Sequence, residues 1–77
     1  MDTSSWYFKI KPSDIAYMKF ILESYEGLGV LRTIDPRNGI VEVMVPPGLE
    51  EDSEMVLEGL RDEIFIERID DPQRESP

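Results

Sequence analysis

The chain has neither histidine nor cysteine, so any chemistry near neutral pH must come from carboxylates, lysines and hydroxyls. A catalytic serine needs a base poised near neutrality, and only Lys, Asp or Glu could supply it here. Two stretches concentrate the candidates. Glu50, Glu51, Asp52 and Glu54 gather carboxylates at one place, but their spacing matches no oxygen-ligand pattern for a hard cation. Acids in the first turn of a helix are the simpler reading, because they meet the positive end of its dipole. Lys11-Pro12-Ser13-Asp14 sets a cation, a hydroxyl and a carboxylate side by side, and Asp14 has the wrong sign for holding an anion. No metal site, no cofactor and no catalytic residue are expected.

These groups sit on six periodic segments. Trp6, Phe8 and Ile10 alternate with Tyr7, Lys9 and Lys11, the period of a strand with one buried face. Pro12 ends it, and Ser13 or Asp14 suits a helix N-cap. Over Ile15 to Leu28, a helical period places Ile15, Met18, Ile21, Leu22, Tyr25 and Leu28 on one face. Lys19, Glu23 and Glu26 lie opposite, and Phe20 falls outside the buried arc. Gly27 or Gly29 supplies the exit. A second strand over Val30 to Ile34, whose inward face the pattern leaves open, turns at Asp35-Pro36-Arg37-Asn38-Gly39. The return strand, Ile40 to Val45, sets Val41, Val43 and Val45 against Ile40, Glu42 and Met44. After Pro46-Pro47-Gly48, a second helix over Leu49 to Glu63 carries the stripe Leu49, Val56, Leu57 and Leu60. Its outward face bears Glu50, Glu54, Glu58 and Asp62, a solvated acidic face. Ile64 to Ile69 reads as the last strand. Residues 1–5 and 71–77 read as disordered ends around one domain over 6–70.

Strand, helix, strand, strand, helix, strand is the order of an α+β ferredoxin-like sandwich. It implies a four-stranded antiparallel sheet with both helices on one face. The other face stays open and carries Tyr7, Lys9, Lys11, Ile40, Glu42 and Met44. Such a mixed surface suits packing in a small oligomer. A chain of 77 residues buries a small core, and without cysteine it has no disulfide to reinforce it. A homodimer is therefore expected.

A formal net charge of −9 repels phosphate backbones and anionic bilayers, so neither nucleic acid nor membrane is an expected partner. No apolar run approaches the ~20 residues of a spanning helix, and the first residues lack a secretion signal's basic and apolar regions. The expected location is the cytoplasm.

Several functions that use this architecture need residues absent here. Heavy-metal-associated domains need a cysteine pair after the first strand. RNA-recognition domains stack bases on aromatics of the first and third strands. Tyr7 could mimic one, whereas Ile40 and Glu42 hold the third-strand positions. Acylphosphatases cradle a phosphoryl group in a glycine-rich loop that Lys11-Pro12-Ser13-Asp14 does not form, which leaves such an enzyme a distant alternative.

The strand over 6–11, the loop and helix opening at Pro12-Ser13-Asp14-Ile15, and Glu26-Gly27-Leu28-Gly29-Val30 resemble ACT-type regulatory domains. The resemblance implies amino-acid or small-effector binding by Ser13, Asp14, Gly27 and Gly29. Asp14 stands where that family has a glycine, which favours a cationic metabolite over an anionic one. The stretch 14–28 with Val45-Pro46-Pro47-Gly48 also resembles a family of short free-standing bacterial proteins of unassigned function. The reading that best fits the residues is a non-catalytic, dimeric protein-interaction module, with Tyr7, Phe20, Ile40 and Met44 as contact candidates. Small-molecule sensing is the alternative.

Overall fold

Residues 3–25 and 27–72 are described by the computed structural model. The alternating aromatic segment forms β1 (Ser4–Ile10), so Ser4 and Ser5 belong to the sheet rather than to a disordered start. β1 pairs antiparallel with β3 (Ile40–Val45) through Trp6↔Val43 and Phe8↔Val41. On its other side it pairs with β4 (Ile66–Ile69) through Phe8↔Arg68 and Ile10↔Ile66. β2 (Val30–Asp35) completes the sheet against β3, giving the order β2-β3-β1-β4. Together with α1 (Ile15–Phe20) and α2 (Glu50–Leu60), this is the expected α+β arrangement, compatible with the ferredoxin-like sandwich.

Residues opposite one another across paired strands point to the same side of a sheet. Phe8, Ile10, Val41, Val43 and Val45 therefore share a face, and they form one core with Met18 and Leu22 from the first helix and Leu57 and Leu60 from the second. Each such side chain contributes ~1.5–3 kcal/mol when fully buried, as an upper estimate. Leu31 joins this core while Val30 is 53% exposed, which settles the inward face of β2. The pairing slips by one residue between Thr33 and Asp35, a bulge that periodicity does not reveal.

The first helix departs from expectation at both ends. Neither Ser13 nor Asp14 makes a side-chain cap. Pro12, with its fixed φ, instead opens a 3₁₀ turn over Pro12–Asp14, closed by the Asp14 N–H to the Lys11 carbonyl at 2.8 Å. Beyond Phe20 the coil widens into a π-turn over Ile21–Tyr25. Gly27 takes φ +63°, the left-handed exit that favours glycine. The Leu28 N–H returns to the Leu22 carbonyl at 3.1 Å, one residue further back than in the ordinary Schellman closure.

The hairpin turn is built around Asp35. Its Oδ1 accepts the N–H groups of Arg37 and Asn38 at 3.1 and 3.3 Å, and its Oδ2 accepts the Asn38 amide at 2.7 Å. These bonds, the Asn38 side chain foremost, hold the Asp35 carboxyl below its ordinary value. Gly39 closes the turn at φ +69°, and a Cβ there would run into the Ile10 carbonyl oxygen.

The second helix is shorter than the expected Leu49–Glu63, ending at Leu60 with the Arg61 and Ile64 N–H groups bonded back to Leu57 and Leu60. β4 starts at Ile66 because residues 61–64 are still turning out of α2, with the Ile64 N–H held by the Leu60 carbonyl. Asp71 and Pro72 are described, and the rest of the expected tail lies outside the described residues. Among the described residues, no helix is long and apolar enough to cross a membrane.

Candidate interaction surface

Register fixes what stands on the uncovered side of the sheet. One row runs Arg32, Glu42, Tyr7 and Ile69; the flanking rows hold Val30, Met44 and Ser5 on one side, Ile40, Lys9 and Glu67 on the other. At the centre lies Glu42, its side chain only 7% exposed although no helix of the described residues covers this face. Neighbouring side chains bury it. The Tyr7 hydroxyl donates to Oε2 at 3.1 Å, and Arg32 Nη2 stands 2.8 Å from Oε1. The Arg32 contact is a charge pair rather than an aligned hydrogen bond, so Oε1 has no directional donor among the described residues. A buried carboxylate is tolerated only when paired, and losing either neighbour would leave its charge poorly compensated. Burial, the bond to Glu42, that carboxylate's charge and the nearby Asp71 together raise the pKa of the Tyr7 hydroxyl above its ordinary value.

Apolar groups frame this polar centre: Val30 exposed, and Ile40, Met44 and Ile69 half-buried. The sequence-predicted contacts Tyr7, Ile40 and Met44 therefore share one surface. Phe20 does not. It is 59% exposed on α1, in the helical layer behind the sheet, and cannot belong to the same contact.

The loop residues expected to hold an effector are also separated. Ser13 and Asp14 precede α1, next to the turn where Gly39 approaches Ile10 and Pro12. Gly27 and Gly29 follow the first helix at its far end, where a Cβ on Gly29 would meet the Met44 carbonyl at 2.7 Å. Within one chain the two pairs do not form one site. A groove of about 210 Å³ lies between Leu28 and α2, lined by Leu28, Asp52, Met55 and Val56, and none of the four lines it. Glu50, Glu51 and Asp52 stand in the first turn of α2, and Glu54 beyond it faces Arg68; among the described residues, no group of acids is placed to hold a metal ion. Glu50 there accepts the Gly48 N–H at 2.9 Å.

Three further polar residues have roles that periodicity did not suggest. Glu23, expected to be solvated, accepts the Leu31 N–H at 2.8 Å and Lys19 Nζ at 2.9 Å. The Lys19 bond first, then the Leu31 N–H, hold its carboxyl below the ordinary value. Ser53, fully buried in the α2 stripe, donates to the Leu28 carbonyl at 3.2 Å. Arg68 lies on the helix side of β4, over Trp6 at 4.9 Å and Phe8 at 5.9 Å, and pairs with Glu54 at 3.1 Å.

A small α+β sandwich with one sheet face unpaired and a buried charge cluster at its centre is the class that fold and surface define. Residues 8–64 match the family described as a domain of unknown function, DUF4911, and the chain belongs to that family. No curated protein and no solved structure matches it.

Proposed function

We propose that the protein is a non-catalytic interaction module whose working surface is the open face of the sheet. The observation that carries this reading is Glu42. A carboxylate held by Tyr7 and Arg32 and ringed by Val30, Ile40, Met44 and Ile69 resembles the centre of a contact, where polar groups fix register and apolar groups supply area. Small-molecule sensing has less support, because Ser13 and Asp14 sit at the opposite end of the first helix from Gly27 and Gly29. The absence of histidine and cysteine favours a binding role over a catalytic one, and cytoplasmic residence accords with it.

The test is the size at which the protein migrates in extracts of its own cells. Wild type is expected in an assembly larger than its 8.9 kDa chain. Met44→Glu, which adds a carboxylate to the face without touching the core, is expected to migrate as the lone chain. Unchanged migration of a folded Met44→Glu variant removes the open face from the function.

A further inference from the structure

Resting on the reading of the open face as the working surface, we infer that its occupant is a second copy of this chain, packed face to face and not edge to edge. The usual route by which a four-stranded sheet dimerises is through an edge strand, whose outward N–H and C=O groups template another strand. Here both edges are blunted. On β2, Glu23 already accepts the outward N–H of Leu31, and Lys19 Nζ reaches its carbonyl at 3.5 Å. One side chain pair thus occupies both backbone groups that a neighbouring strand would use at that residue. On β4 the strand is four residues long, and it carries Arg68 toward the helix side, held by Trp6, Phe8 and Glu54. A short edge and an inward-pointing charge are both devices that discourage strand addition.

The open face has the properties that a two-fold contact requires. A two-fold interface uses the same patch twice, so the patch must be complementary to itself. Lys9 and Arg32 here offset all but one of the charges of Glu42, Glu67 and Asp71, while the chain as a whole carries −9. An acidic protein approaches its own copy most closely where its charge is most nearly cancelled. The molecule is also a slab, 34 × 33 × 17 Å, and a broad side of that size can supply the ~800 Å² per partner of a standard interface. The acidic outer side of α2 cannot serve, since two copies would meet there with like charges.

Sedimentation of the purified full chain over a concentration series tests this, with three variants beside the wild type. Wild type is expected to reach twice the chain mass. Met44→Glu and Val30→Glu are each expected to weaken the dimer at least about thirtyfold, a single hot-spot loss. Val30 is already half in solvent, so its variant keeps the measurement valid should Met44→Glu fail to fold. Glu23→Ala, which uncovers the β2 edge, is expected to leave the dimer constant unchanged. A tighter dimer in Glu23→Ala would mean edge pairing and overturn the inference. So would purified wild type that stays monomeric to millimolar concentration. If that monomer still enters a larger assembly in extracts, and Met44→Glu abolishes it, the interaction reading stands and the occupant is a different protein.

Discussion

Glu42 shows how little an outward strand position says about its own burial. In the sequence it alternates with Val41 and Val43 and reads as solvated. What buries it is the conjunction of Tyr7 from β1 and Arg32 from β2, residues 35 and 10 positions away. The pairing with Arg32 depends on register, and the bulge at Thr33 and Asp35 hides that register from a periodicity count. The cluster has a spectroscopic handle. Because the folded Tyr7 pKa lies above 10.0, the neutral phenol is favoured in the fold. Its contribution is present below pH 10 and is lost as pH rises through the folded value. In a ring-carbon NMR titration, Tyr7 should therefore ionise later than a free tyrosine. Glu42→Gln should bring the midpoint down but not back to the free value, since burial is the largest cause and remains. A Tyr7 midpoint unmoved by Glu42→Gln would mean the hydroxyl–carboxylate contact does not exist in solution.

Among the elements, those marked by strong local chemistry were legible and those shaped by distant contacts were not. Asp35-Pro36-Arg37-Asn38-Gly39 announces its turn because Asp, Asn and Gly act within a few residues of themselves. The three inward valines of β3 and the α2 stripe likewise follow from period alone. The first helix shows the opposite case. Its apolar face is continuous to Leu28, yet the coil widens after Phe20, and Glu23 turns to the edge of β2. Nothing within the helix specifies that edge. The consequence can be measured at acid pH. The Glu23 carboxyl titrates below its ordinary 4.5, so its contribution is present above that value and is lost as pH falls through the folded pKa. Glu23→Gln keeps an acceptor but removes the charge. It should cost ~1 kcal/mol at neutral pH, or roughly 4–8 °C in midpoint for a domain of this size. The gap between wild type and variant should close as pH falls below the folded value. A gap that persists at low pH would assign the loss to packing instead of charge.

At the scale of the whole molecule, the dominant quantity is the net charge of −9. The fold concentrates acids on the outer side of α2 and gathers nearly balanced charge on the open face, so the two broad sides of the slab differ electrostatically. Composition alone gave the total and could not give this partition, which needs the strand register. The partition predicts the sign of the salt dependence of association. Two copies meeting through the nearly balanced face still carry like charges elsewhere, and at a Debye length of ~30 Å in 0.01 M salt these repel across the whole assembly. At 0.1 M the length falls to ~10 Å, which reaches little beyond the interface. The dimer constant should therefore strengthen by at least about tenfold between these conditions, given the size of unscreened repulsion between two such chains. A basic partner drawn to the acidic helix would behave in the opposite way and weaken as salt is added. Sedimentation at the two ionic strengths separates them, because screening removes repulsion in the first case and attraction in the second.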